Sequence, residues 1–408
     1  MSINSITSFI PFRRVKLTNF GQVSNSNDEI AIFIETEPDL RYTPRCHECG
    51  SKASGIHSWN RRELKDIPLG STPITIFYNY RKIECPECGA TKVEYTKVTD
   101  AGGPKITNRM AQYIYDLCEI MTVDEVASHL NLDPSTIRTV EREFLEEEFG
   151  ETDYSHSGYL AVDEISVGKH HQYMTVILDF NTGRVLWAGK DRKTETLDNF
   201  FQDMPEEKRD QIKAFAMDMW DPYIKSVKKW CPQASIVFDK YHIISDFNNT
   251  IDQVRRKEQN KKTLSDKQKK VIKGSRWLLL KNPENLKEKN KPDLDRLLKL
   301  NENLLKVYIL KEELKLIWEN HENDPEQMEK ALDNWCEEAL RSNLKPVIKF
   351  VKRLQDHKEG IIAYANHQIH TSKLEGVNNK IKEIKRSAYG FHDDEYFKLK
   401  IKQAFPGN

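Results

Sequence analysis

The chain has 408 residues, 38% of them hydrophobic and 31% charged, with 63 basic and 63 acidic side chains that cancel to a formal charge of zero. That length exceeds one ordinary core and predicts two to four domains, and the composition is that of a soluble globular protein. With neither a long apolar run nor a signal-type leader, a cytoplasmic, unanchored protein is expected. Zero net charge taken alone argues against nucleic acid, yet the charges are segregated. From Arg255 to Arg276 basic residues outnumber acidic ones ten to two, and from Glu302 to Glu338 acids dominate. Such patches suit a basic groove on a neutral protein, or a solvated helix face.

Residues 1–100 read as short strands around a metal site. Cys46-His47-Glu48-Cys49-Gly50 and Cys85-Pro86-Glu87-Cys88-Gly89 are two Cys-x-x-Cys knuckles, each followed by glycine. Cys46, Cys49, Cys85 and Cys88 supply four thiolates for a tetrahedral zinc ion, structural rather than catalytic because no position stays open. The glycine fits a tight turn that tends to need a positive φ. The 35-residue gap between the pairs exceeds usual zinc-ribbon spacing but can hold a hairpin, and Ile74 to Tyr80 alternates like a strand. Disulfides are disfavoured in the cytoplasm. Cys118, Cys231 and Cys336 are isolated and expected to be buried thiols.

After the linker Ala101-Gly102-Gly103-Pro104, three short helices are predicted over 105–150. The first spans about Thr107 to Ile120, with Met110, Tyr113, Ile114 and Leu117 on one face. The second starts at Thr122, whose hydroxyl forms a capping box with Glu125. The third starts at Asp133-Pro134, an N-cap followed by proline. This is a helix-turn-helix pattern, with Ile137, Val140 and Phe144 inward. Ser135, Thr136, Arg138, Thr139 and Arg142 are left to face a DNA major groove. An ordinary three-helix packing unit is the plainer alternative.

From Gly158 the pattern changes to strands: Tyr159–Asp163, Tyr173–Asp179 and Arg184–Ala188, with Asn181-Thr182-Gly183 as a turn. A helix around Thr194–Met204, a strand Ile212–Asp218, a helix Asp221–Trp230 and a strand Ser235–Asp239 follow. Asp221 is expected to cap its helix, with Pro222 at the first helical position. This order describes a mixed α/β sheet of the ribonuclease H-like kind. Its first part is assigned to 158–244, an all-helical insertion to 245–365 with Trp277, Trp318 and Trp335 as core aromatics, and a C-terminal helical part to 366–408. The fold class is thus multidomain α+β.

Asp163 closes the run Tyr159-Leu160-Ala161-Val162, Asp218 closes Ile212 to Met217, and Glu375 opens the basic stretch to Lys382. Two hard divalent cations about 3.5–4 Å apart need several carboxylates converging from different elements, which these three acids can supply. Such a site in a chain with DNA-binding features points to phosphodiester chemistry. Asp179 reads as a turn residue. Glu164 would face the opposite side of the sheet from Asp163. Asn378, Asn379 and Lys382 fall one or two turns from Glu375 and are candidates to touch the scissile strand, with Lys380, Lys385 and Arg386 adding phosphate contacts.

The order of these features resembles insertion-sequence transposases of the ISL-three family, which join a zinc-binding N-terminus, a helix-turn-helix and a DDE catalytic domain. The resemblance is carried by Val162-Asp163-Glu164, Met217-Asp218-Met219-Trp220 with Pro222-Tyr223, Phe238-Asp239-Lys240-Tyr241-His242, and Leu374 to Lys382, extended by Arg386 and Tyr389-Gly390-Phe391. It covers nearly the whole chain. It implies that Asp163, Asp218 and Glu375 hold Mg²⁺ or Mn²⁺, and that the family's aspartate-x-x-histidine feature falls on Asp239 and His242 as auxiliary residues. It further implies double-stranded DNA as partner, both transposon ends and target, a dimer or larger assembly on paired ends, and work at the nucleoid. A catalytically inactive DNA-binding regulator and a structure-selective nuclease on the same fold are the competing classes.

Overall fold

In the computed structural model, which describes residues 12–24, 30–100, 103–168, 172–388, 390–391 and 393–407, long alternating runs build the N-terminal sheet where short strands were expected. Ala101 and Gly102 of the linker and Tyr389 of the last matching block lie outside the described residues. Strands β1 (Val15–Ser24), β2 (Ile30–Pro38), β3 (Gly55–Leu69), β4 (Thr72–Cys85) and β5 (Ala90–Val93) form one sheet in the order β1-β2-β4-β3, with β5 on the end of β4. The β3–β4 hairpin fills the gap between the two cysteine pairs and delivers Cys85 at its end. Ile34, Leu64, Ile76 and Tyr78 alternate onto one face and are almost fully buried, as period-two patterning requires.

Three helices follow: α1 (Asn108–Cys118), α2 (Val123–Leu130) and α3 (Pro134–Phe149). Thr107 caps α1, and its hydroxyl donates to the buried Asp66 of β3 at 2.6 Å, tying the helix to the sheet. The capping box of Thr122 and Glu125 is formed, α2 ends at Asn131 with a φ of 49°, and Asp133 caps α3 ahead of Pro134. Met110, Ile114, Val126, Ala127, Ile137 and Val140 form the small core between the helices, with Phe144 stacked on Tyr115 at its margin. These elements belong to a unit comprising Met1–Gly150; Glu151–Asn408 form a second.

The second unit is built on strands β6 (Tyr159–Gly168), β7 (Gln172–Asp179), β8 (Val185–Lys190), β9 (Ala214–Met217) and β10 (Ser235–Phe238). Their order is β10-β9-β6-β7-β8. β6, β7 and β8 are antiparallel neighbours, whereas β6, β9 and β10 run parallel. Helices α4 (Thr194–Asp203), α5 (Glu206–Arg209) and α6 (Asp221–Trp230) provide the crossovers. Leu197, Phe200, Phe201, Tyr223 and Val227 pack on the face that carries Leu160 and Val162. Asp221 is not the cap of α6: Trp220 occupies that position without a side-chain bond, and Asp221 is the first helical residue. The extended backbone of Trp220 and the helical one of Asp221 decide the point, and an acid in a first turn is favourable there anyway.

From the sheet the chain continues through α7 (Lys240–Gln259), α8 (Asp266–Gly274), α9 (Arg276–Leu280), α10 (Lys291–Leu300), α11 (Glu302–His321), α12 (Pro325–Arg341), α13 (Lys345–Asp356), α14 (Lys358–Ile362) and α15 (Tyr364–His367). Trp318 and Trp335 are buried at the centre of this array, as expected, but Trp277 is 63% exposed. Arg255 departs from the reading of the basic run as a groove or a solvated face. It is buried, paired with Asp252 and bonded to the carbonyls of Ile272 and Lys273 that end α8. Helices α16 (Ser372–Ser387) and α17 (Asp394–Ala404) return to the other sheet face, where Leu374, Val377, Ile381, Phe397 and Ile401 meet Ala161, Ile165 and Val176. Among the described residues no helix is long and apolar enough to cross a membrane.

Candidate active site

Three parallel strands place three aspartates at one level. The last bonded pair between β6 and β9 is Ala161 with Ala216, and Asp163 and Asp218 each follow two residues later. The last pair between β9 and β10 is Met217 with Phe238, and Asp239 follows at the level of Asp218. Neighbouring strands lie about 4.8 Å apart, so strand register alone brings the three residues to adjacent positions. The carboxyl edge of parallel strands is also where open α/β sheets place ligands.

Each aspartate then meets a different environment. Asp163 is half-buried on the α16 face of β6; its Oδ1 accepts the Glu164 N–H at 2.8 Å and its Oδ2 accepts Asn378 Nδ2 at 2.9 Å. Burial, aided by the negative charge of Glu164, pushes its carboxyl up to about 6, with His242 and Asn378 acting in the opposite sense. Asp218 fixes its own turn by accepting the Met219 N–H at 2.6 Å, and its Oδ2 is 3.7 Å from His242 Nδ1. Asp239 is buried and saturated. One oxygen caps α7 through the Tyr241 N–H at 2.6 Å, while the other accepts the Thr371 N–H at 2.6 Å and the Thr371 hydroxyl at 2.7 Å. The two halves of the aspartate-x-x-histidine feature therefore differ: His242 faces the acids, and Asp239 ties the starts of α7 and α16 together.

Glu375 lies in the first turn of α16 and is exposed. It precedes Asn378 by three residues, which on a helix is the same face one turn away. The contact of Asn378 with Asp163 thus ties the helix that carries Glu375 to β6. Among the described residues, the only group of three or more His, Cys, Asp or Glu side chains gathered closely enough to share one ion is the cysteine quartet, so Asp163, Asp218 and Glu375 are not gathered that closely. Glu164 points to the opposite face, as alternation predicts, and pairs with Arg192 at 3.1 Å. Arg192 in turn lies over the rings of Tyr173 and Trp220, bracing the turn that carries Asp218. Asp179 is a turn residue, its Oδ1 accepting the N–H groups of Asn181 and Thr182.

Of the expected DNA contacts on α16, Asn379, Lys382 and Arg386 are exposed, whereas Asn378 is buried and engaged with Asp163. Lys385 is bonded to the Val167 carbonyl at 2.6 Å, and Lys380 pairs with Glu383 at 3.2 Å. On α3, Ser135, Arg138 and Thr139 are exposed, Thr136 is half-buried, and Arg142 pairs with Glu146 at 2.7 Å. Sequence reasoning missed Asp246, one turn beyond His242, whose carboxyl is raised by burial and by Asp218 and which is ion-paired with Arg353. The i, i+4 spacing from His242 was its only signal. A cavity of about 360 Å³ opens elsewhere, between α11 and α12, lined by Glu313, Leu316, Trp335 and Glu338 among others, and contains none of these residues.

In the N-terminal unit the four cysteine sulfurs lie within 4.8 Å of one another, with Cys49 and Cys85 3.4 Å apart and Cys46 and Cys88 3.9 Å apart. Thiolates at about 2.3 Å around a tetrahedral zinc ion are about 3.8 Å apart, so the quartet fits that ion. Gly50 and Gly89 have φ values of 72° and 62°, and their N–H groups close both knuckles on the carbonyls of Cys46 and Cys85. Crowding, chiefly the contact with Cys49, pushes the Cys88 thiol up to about 12, a cost that a cation among the thiolates removes.

Comparison with known proteins places the chain. Residues 160–401 match the transposase family of the ISL-three type, and residues 43–88 match the zinc-finger of transposases IS204, IS1001, IS1096 and IS1165. The chain is 36% identical over 365 residues to the transposase for insertion sequence element IS1001 of Bordetella parapertussis, covering 89% of each. It is 24% identical over 417 residues to the transposase for insertion sequence element IS1557 of Mycobacterium tuberculosis H37Rv, covering 91% of this chain and 88% of that one. The protein belongs to the ISL-three family of insertion-sequence transposases.

Proposed function

We propose that this transposase binds the terminal inverted repeats of its insertion sequence and cleaves and joins DNA at Asp163, Asp218 and Glu375. The observation that carries the reading is the common level of Asp163 and Asp218 on adjacent parallel strands, with Asn378 linking Asp163 to the helix of Glu375. The strand order supports a ribonuclease H-like core over 158–244 and 366–408, with 245–365 as its helical insertion. The donor set fits hard divalent cations: carboxylate oxygens, one of them disfavoured as an anion by burial until a cation neutralises it. Mg²⁺ or Mn²⁺ there would activate a water at the transposon end and stabilise the leaving 3′ oxygen.

The chain's own residues do the rest. Asn378 and the Glu164 N–H orient the Asp163 carboxylate, and the Met219 N–H orients that of Asp218. His242 supplies a donor, and a positive charge when protonated, beside Asp218. Asp239 holds the starts of α7 and α16 in place and thereby the position of Glu375. Asn379, Lys382 and Arg386, exposed on α16, suit contacts to the scissile strand. In the other unit, residues 1–100 form a zinc-binding domain whose four thiolates close a structural site. Residues 105–150 form a helix-turn-helix whose exposed Ser135, Arg138 and Thr139, flanked by Thr136 and Arg142, meet the major groove. The working form is a dimer or larger assembly on paired ends in the cytoplasm, at the nucleoid.

The test is cleavage and joining of end DNA by purified protein. Asp163→Asn, Asp218→Asn and Glu375→Gln should each abolish both steps while leaving end binding intact. A variant that cuts at near wild-type rate in Mg²⁺ removes its residue from the site.

A further inference from the structure

Asn378 of α16 is hydrogen-bonded to Asp163 of β6, and half of its amide is unused. The residue is 8% exposed, Nδ2 donates to Asp163 Oδ2 at 2.9 Å, and Oδ1, also buried, has no hydrogen-bond partner among the described residues. The amide cannot be turned over, because that would press Oδ1 against a carboxylate oxygen and lose the only bond. Oδ1 is therefore held across the amide from the atom that meets Asp163. Its helix neighbours Leu374, Val377 and Ile381 are apolar and well packed, so an aliphatic residue at 378 would meet the packing demand without stranding an acceptor. Buried acceptors are nearly always satisfied, and one left open on a side chain that meets a carboxylate calls for a donor or a cation.

We infer that Asn378 is a positioning residue of the carboxylate site: Nδ2 sets the direction of the Asp163 carboxylate, and Oδ1 is the acceptor that receives the hydration shell of a divalent cation. Mg²⁺ and Mn²⁺ dehydrate reluctantly and keep several waters, whose hydrogens need acceptors that are not all anionic. Groups one step removed from the metal that orient its ligands are worth about 10–100-fold in affinity. The burial of Asn378 separates this role from the DNA contact suggested by its place on a basic helix, a role that Asn379 and Lys382 are exposed to fill. The inference rests on the reading of Asp163 as a ligand.

The experiment uses the full, zinc-loaded chain and Mn²⁺ alone as the probe, titrated by calorimetry, with end-DNA binding measured in the absence of added divalent ions. Asn378→Leu should weaken Mn²⁺ binding about 10–100-fold, shrink the rise in thermal midpoint that Mn²⁺ produces, and leave DNA binding unchanged. Cleavage should fall at low Mn²⁺ and recover in part at high Mn²⁺, with the KM for DNA unaltered. If Asn378→Leu does not fold, Asn378→Ser, which keeps a small polar group, is read the same way. Weakened DNA binding with unchanged Mn²⁺ affinity, or no change in either, overturns the inference. Asp163→Asn run in parallel separates the two layers. If it loses Mn²⁺ while Asn378→Leu does not, the inference alone fails; if it binds Mn²⁺ as the wild type does, the ligand reading fails and the inference with it.

Discussion

Replacing Asp163 by Asn should stabilise the protein at neutral pH in the absence of Mg²⁺ and Mn²⁺, although in the proposed site it removes a cation ligand. Burial and the charge of Glu164 lift this carboxyl from an ordinary 3.8 to about 6, while His242 and the Asn378 amide pull the other way. At 1.36 kcal/mol per pH unit, that difference corresponds to about 3 kcal/mol between the protonated and ionised forms. The folded state binds the proton more tightly than the unfolded chain. The contribution of Asp163 to stability is therefore fully present below about pH 4 and is lost as pH rises through about 6. Asn does not ionise and escapes that loss. Against this gain, Asp163 uses two oxygens, one for the Glu164 N–H and one for Asn378 Nδ2, and Asn offers one. Giving up one bond costs about 1 kcal/mol. The net expectation is a gain of about 1–2 kcal/mol at pH 8, with the difference between variant and wild type shrinking by about 1.4 kcal/mol at pH 5. Urea unfolding of the zinc-loaded protein at both pH values, without Mg²⁺ or Mn²⁺, measures it. Saturating Mn²⁺ should reverse the ranking, because only the wild type gains from ligand linkage. A variant less stable than wild type at pH 8, or a difference that does not change with pH, refutes the reasoning.

Asp239→Ala leaves the Tyr241 and Thr371 N–H groups and the Thr371 hydroxyl without their acceptor in a buried place and removes the cap of α7. A loss of about 3–4 kcal/mol in denaturant unfolding is expected, and a loss below about 1 kcal/mol would contradict the double-cap account. Elemental analysis should find one zinc per chain, and Cys46→Ser or Cys85→Ser should lose it together with specific end binding; metal-free protein that still recognises its ends would sink the zinc reading. Arg138→Ala, at an exposed position on α3, should weaken binding to the terminal repeats by about 1–3 kcal/mol, and Arg142→Ala by less because Glu146 already engages that guanidinium. Equal losses on repeat and unrelated DNA would instead mark Arg138 as a phosphate contact.

What was legible beforehand was local. The cysteine knuckles with their glycines, the capping box of Thr122 and Glu125, the Asp133-Pro134 helix start and the Asp179 turn each depend on residues within five positions of one another, and each stands as expected. The end of β9 before Asp218 was legible too, because the apolar run stops where a polar residue begins, whereas β6 runs on past Asp163 to Gly168 through its pairing with β7. Tertiary structure decided whatever depends on partners far along the chain. Asn378 reads as one more polar residue of a basic helix until a strand 215 positions earlier presents Asp163, and Asp239 reads as the end of a strand until Thr371 arrives from 132 positions away. Arg255 looks like a surface cation in a basic run and is instead buried between α7 and the end of α8, while Trp277, the kind of residue that fills cores, stays outside. Composition and periodicity report only the average environment of a side chain. Its burial and hydrogen-bond partners are set by which distant elements pack against it, and here that packing separates Asn378, bonded to a carboxylate, from the residues left exposed on the same helix.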